Sequence, residues 1–268
     1  MQRLLSRWAG FAGTRLGAAV IATVSYAGGF TLLLGETLAS LGGGRVRRAH
    51  VVEQMQLIGV QSWSIVALMN VFLGMVLALQ SAYQLQKFGA NIYIAGLVSL
   101  SVTHEIGPII TALIVAGRVG ASIAAELGTM QVTEQIDALW TLATHPVRYL
   151  VVPRFLALLF VQPVLTLYAD ACGIIGGFCV GVFKLHITPR FYWRMTTEPL
   201  VTKDVMTGLI KSVVFAVIIC IVSCYEGFQT QGGAEGVGRA TTRAVVYSFI
   251  LIIAADCLMT MLFYFGWK

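Results

Sequence analysis

Hydrophobic positions in this chain gather into long, nearly uncharged blocks. No charged residue falls between Glu53 and Lys87, whereas about 20 apolar residues suffice to cross the hydrocarbon core of a bilayer. The blocks predict five membrane-crossing helices at 57–81, 92–118, 153–183, 205–226 and 244–266. Glycines and prolines inside them are tolerable in membrane helices. A sixth apolar segment, Leu16 to Leu41, has Arg3, Arg7 and Arg15 before it and Arg45, Arg47 and Arg48 after it. Positive charge at both ends favours an element lying in or dipping into the inner leaflet over a true crossing, and Gly28-Gly29 offers a place to bend. Ser25-Tyr26-Ala27 is permissive for signal cleavage, but apolar character continues through Phe30 to Leu34, which argues against it.

Composition agrees with this pattern. Of 268 residues, 57% are hydrophobic and 11% charged, with a mean hydropathy of +0.82; soluble domains carry about 25% charged residues. The net charge of +6 would suggest nucleic acid in a soluble protein, but here the basic residues cluster in short loops. With the arginines around the first apolar segment inside, Arg148, Arg154, Arg239 and Arg243 also fall inside. Lys87, Lys184, Arg190, Arg194, Lys203 and Lys268 then fall outside, a modest bias in the expected sense. This arrangement predicts cytoplasmic loops at about 119–152 and 227–243 and puts the C-terminus outside. The five cysteines, Cys172, Cys179, Cys220, Cys224 and Cys257, lie in apolar segments without histidine at ligand spacing and read as packing residues.

Each crossing after the first holds an ionisable residue deep in its apolar run: Glu105, Asp170, Lys211 and Asp256. Such groups cost at least about 2.5–3.5 kcal/mol each in a membrane, so they normally face a bundle interior or wet cavity. An ion pair holding helices together and a polar-lined pathway fit equally well for any single residue. Small residues recur at helix-packing spacing: Gly173, Gly177 and Gly181 form one row, and Gly117 and Gly120 begin two more with Ala121, Ala124, Ala125 and Gly128.

Catalytic motifs do not emerge. His104-Glu105 lacks the second histidine of a zinc-protease helix, no Gly-Lys dipeptide exists for a Walker A loop, and no metal ligand set is predicted. The stretch "GGAEGVG", Gly232 to Gly238, reads as a tight turn. The chain is therefore expected not to be an enzyme, and any ATP used must be hydrolysed by another chain. Beyond the second crossing, Glu126, Glu134 and Asp137 gather three of only 12 acidic residues. On one unbroken helix they share roughly an 80° sector, with Val132, Ile136 and Leu139 on another side. Periodicity alone leaves a solvated surface helix and a docking helix for a soluble partner equally open.

Four stretches resemble the MlaE/YrbE permease family, the membrane subunits of lipid-moving ABC transporters. They are "HEIGPIITALIVAGRVGASIAAELGTMQVTEQIDAL" from His104, "ADACGIIGG" from Ala169, "IKSVVFA" from Ile210 and "YEGFQTQGGAEGVGRATTRAVV" from Tyr225. The resemblance covers about residues 50–268, leaving 1–50 as an N-terminal interfacial region and 51–268 as the permease domain. His104 departs from the family, which usually has arginine there, so an ion pair at that position would depend on an imidazole.

The resemblance implies an all-α integral membrane protein: five transmembrane helices, an N-terminal interfacial or elbow helix, and a cytoplasmic coupling helix. It implies a homodimer in a bacterial inner membrane, N-terminus cytoplasmic and C-terminus periplasmic. The implied partners are an ABC ATPase using ATP and magnesium, an MCE-domain protein beyond the membrane and a STAS-domain protein, with phospholipid or a related lipid as cargo and no nucleic acid. Glu126, Glu134, Gln135 and Asp137 would couple to the ATPase. Glu105, Asp170, Lys211 and Asp256 become the lipid-path residues, Glu105 and Lys211 foremost. The competing class is a secondary transporter that uses the buried carboxylates as proton relays; it would require an inverted repeat that is not found in the sequence.

Overall fold

The computed structural model describes residues 24–42 and 48–266, and its regular elements are helices. They are α1 (24–42), α2 (Arg48–Gln86), α3 (Ile94–Val132), α4 (Gln135–Thr141), α5 (Val147–Phe183), α6 (Pro189–Thr197), α7 (Thr202–Phe228) and α8 (Gly233–Gly266). Among the described residues five, α2, α3, α5, α7 and α8, are long and apolar enough to cross a membrane. Each contains or closely matches one predicted crossing. All but α7 run well beyond it: α3 reaches Val132 and α5 begins at Val147, so the predicted 119–152 loop contracts to 133–146 around α4. The predicted 227–243 loop is likewise largely helical. Positive φ at Gly232 and Gly233 makes the sharp connection, conformations that glycine adopts without steric cost, and the rest of the glycine-rich stretch is the first turns of α8.

Three π-helical turns interrupt the long helices, at Val102–Ile106, Ala116–Gly120 and Val147–Val151. Each holds a basic or titratable residue, and such bulges commonly mark functional sites. The core is built by α3, α5 and α7, where Phe155, Leu158, Ile123, Leu127, Phe215 and Ile219 are buried together. The outer helices α2 and α8 bury the smallest share of their residues. α2 packs along α5 through glycines: a Cβ at Gly74 would strike the Gly173 carbonyl, and one at Gly176 the Val71 carbonyl. Gly177 and Gly181 of the predicted ridge instead receive Val98 and the ring of Tyr192 from α6. Burial pushes the Tyr192 phenol up to about 12, since the phenolate would lose its hydration.

Two sequence expectations are corrected. Gly28-Gly29 does not break the element, because α1 is continuous through both. Gly29 is the point where Tyr225 of α7 closes on α1, and Tyr26 (edge-on) and Phe30 (tilted) pack around that ring with centroids at 5.2 and 4.6 Å. Part of the Leu16–Leu41 element lies outside the described residues. The single acidic helix through Glu126, Glu134 and Asp137 is also broken, at Glu134, which takes φ 58. The shared acidic sector therefore divides, with Glu126 on α3 and the other two at α4.

Candidate functional site

Pro108 has no N–H to give to the carbonyl of His104 one turn back. Lys211 Nζ of α7 donates to that carbonyl at 3.2 Å. The same ammonium donates to Glu105 Oε2 at 2.7 Å and to Thr260 Oγ1 of α8 at 2.8 Å. Those three bonds use all the protons an ammonium carries. Asp256 Oδ1, 2.9 Å away, is a fourth oxygen around the same ammonium and comes from its second carboxylate. Thr260 completes the network by donating to Glu105 Oε1 at 3.0 Å. Three membrane helices thus meet at one cation with two carboxylates.

Lys211 is fully buried and Asp256 nearly so, but the Glu105 side chain keeps 35% of its surface exposed. It opens into a cavity of about 280 Å³ lined also by His104, Lys203, Asp204, Thr207 and Tyr264. His104 Nε2 lies 2.8 Å from Asp204 Oδ1, while Asp204 Oδ2 accepts the Val201 N–H at 2.9 Å in the first turn of α7. The His104 imidazole is thus paired with a carboxylate. Acids and bases are nearly balanced in this lining, so its charges are largely paired with one another. No nucleophile is activated by a neighbouring base within this lining.

The expected quartet divides. Glu105, Lys211 and Asp256 converge, whereas Asp170 lies apart, buried against Gly107, where a Cβ would overlap its Oδ1. That oxygen has no hydrogen-bond partner. Asp204 and Thr260 were not singled out in the sequence. A neutral hydroxyl carries no signal there, and Asp204 looks like any acid at a helix start.

At the opposite end of the bundle, Glu126 Oε1 pairs with Arg154 Nη2 at 2.7 Å. Arg154 is 3% exposed and also donates to the Leu150 carbonyl at 2.8 Å. Buried Glu226 pairs with Arg243 at 3.0 Å, tying α7 to α8. Glu134, Gln135 and Asp137 remain exposed while Ile136 is buried, so α4 presents a polar outer side on an anchored helix. Of the predicted packing glycines, Gly120 meets Ser223 of α7, and Gly117 has only Phe249 at 3.9 Å from its Cβ position.

A family model described as "Permease MlaE" matches residues 51–262. A "Probable ABC transporter permease protein" of Rickettsia conorii is 45% identical over 245 residues, 90% of this chain and 95% of its own. The "Intermembrane phospholipid transport system permease protein MlaE" of Haemophilus influenzae is 36% identical over 215 residues, covering 80% and 82%. "Protein TRIGALACTOSYLDIACYLGLYCEROL 1, chloroplastic" of Arabidopsis thaliana is 34% identical over 235 residues, covering 88% and 67%.

Proposed function

The chain belongs to the MlaE permease family, and from that premise we propose that it is the membrane subunit of an ABC transporter that moves phospholipid or a related lipid. The observation that carries this reading is the Glu105–Lys211–Asp256 cluster beside a cavity inside a largely apolar bundle. A lipid has a charged head and apolar tails, so its path needs apolar walls with a few exchangeable charges. The name of the Haemophilus relative supports phospholipid as the cargo class.

In this reading two copies of the chain enclose the lipid path in a bacterial inner membrane, with the N-terminus and α4 cytoplasmic and the C-terminus periplasmic. A separate ATPase binds ATP and magnesium, and Glu134, Gln135 and Asp137 dock on it through α4. Glu126 contributes by holding Arg154 and thereby the end of α3. An MCE-domain protein exchanges lipid beyond the membrane, and a STAS-domain protein joins the ATPase. Nucleotide closes the ATPase pair, and the docked helices pass that motion to the cavity as a shift between two populated states.

The test is affinity purification of the full chain from native membranes, followed by lipid flux in vesicles. A stoichiometric ATPase and ATP-dependent flux are expected. Flux that follows a proton gradient with no ATPase present would replace this reading with a secondary transporter.

A further inference from the structure

On the membrane face that carries the 133–146 connection, the ends of α2, α3 and α5 enclose a second cleft of about 320 Å³. It lies far from the Lys211 cluster: Glu105 and Glu126 stand on the same helix, about 30 Å apart at helical rise. Its polar lining comprises Glu53, Gln54 and His50 from α2, Glu126 from α3, and Tyr149 and Arg154 from α5. We propose that this cleft binds a phosphate ester bearing a primary ammonium, supplied as the headgroup of a zwitterionic phospholipid from the adjoining leaflet.

Arg154 has a reason to prefer such a ligand. Arg154 lines the cleft although it is almost wholly buried; Nη1 gives one bond to the Leu150 carbonyl, Nη2 pairs with Glu126, and the Nε–H, itself buried, has no partner. A buried guanidinium with unspent donors is a phosphate-binding group. Among the described residues of the lining, Glu126 is paired with Arg154 and Glu53 remains as a second carboxylate, which disfavours a purely anionic headgroup and suits an ammonium. A zwitterion satisfies both signs at once.

The adjoining surface suits the tails. Glu53, Leu57, Val60, Ser64 and Leu68 follow helical spacing along one face of α2, and all five are exposed, with Ser64 the one polar side chain among the four beyond Glu53. That face carries a carboxylate at the cleft and is mainly apolar beyond it, the sequence of environments a phospholipid presents from head to tail. The π turn at Val147–Val151, which carries Tyr149 into the lining, gives α5 an irregular backbone at the same place.

This site rests on the membrane placement of the bundle and not on ATP coupling, so it can fail while the proposed function stands. The test places a photocrosslinking benzoylphenylalanine at Gln54 of the full chain, in its purified complex, in nanodiscs of phosphatidylethanolamine or phosphatidylglycerol. Preferential crosslinking to phosphatidylethanolamine is expected, falling about fivefold in Glu53→Gln. A probe at Ile253, exposed on α8, reports general lipid contact and should not respond to that substitution. Equal yields from the two lipids, or an unchanged yield in Glu53→Gln, would overturn the proposal. Suppression of the crosslink by millimolar soluble glycerophosphoethanolamine at undiminished lipid content would assign the cleft to a water-soluble ester and overturn the lipid source.

Discussion

Lys211 is the residue on which the polar cluster turns. Removing its ammonium leaves Glu105 and Asp256 facing one another without a cation, and breaking a buried pair in this way costs about 3–5 kcal/mol. The loss falls on the cluster and cavity, not on the apolar runs that drive insertion. Lys211→Ala is therefore expected to insert normally, measured by membrane fractionation, while the complex loses lipid flux. Arg118 plays a different part. From the π turn at Ala116–Gly120 it donates to Ser62 Oγ, Gln61 Oε1 and the Leu57 and Ile58 carbonyls of α2 at 2.7–3.0 Å. A lysine has neither the fork nor the number of donors. Arg118→Lys should lower the melting temperature in detergent, with a loss of about 2 kcal/mol, and a melting curve identical to the parent would count against this pinning role. The sequence showed which residues were costly in a membrane but not which would meet. The meeting of Glu105, Lys211 and Asp256 depends on three helices that are distant in the chain, and Thr260 joined them without any charge to mark it.

At the scale of elements, long charge-free runs made the five crossings legible, because hydrocarbon thickness imposes a minimum length that few other structures need. Their ends were less legible, since helices continue past the membrane wherever packing against neighbours rewards it. The break before α4 was hidden too: Glu134 adopts a left-handed backbone, uncommon for a residue with a Cβ, and nothing in its neighbours demands glycine. The row of glycines on α5 was legible as a packing surface, but its partners were not. A Cβ at Gly181 would collide with the Tyr192 ring, so Gly181→Ala should destabilise the protein by about 1–3 kcal/mol. Tyr192→Phe should be tolerated, because the buried hydroxyl has no partner to lose. Thermal denaturation of the two variants side by side checks both statements, and equal melting points would contradict them. For α4, Glu134→Lys with Asp137→Lys reverses the charge of an exposed face without touching buried Ile136. Recovery of the ATPase in co-purification should fall, and full recovery with normal stimulated hydrolysis would remove α4 from the docking role.

For the whole molecule, the carboxylate–cation clusters at Lys211, Arg154 and Arg243 lie toward the two ends of a largely apolar bundle. One cluster joins α3, α7 and α8 at Lys211, and at the other end Glu126–Arg154 and Glu226–Arg243 tie the helix ends together. Apolar spans carry the chain through the bilayer, while the charged points hold specific helices in register and can be rearranged. Motion delivered at α4 would reach the Lys211 cluster along α3, the helix that contributes both Glu126 and Glu105. The most direct measurement is therefore movement of a fluorescent phospholipid in proteoliposomes containing the purified complex, with parent and Lys211→Ala chains compared with and without ATP. ATP-dependent movement by the parent and its loss in Lys211→Ala, with the ATPase still bound, is the predicted result. Equal ATP-driven movement by both chains would contradict a lipid path through the Glu105–Lys211–Asp256 cluster.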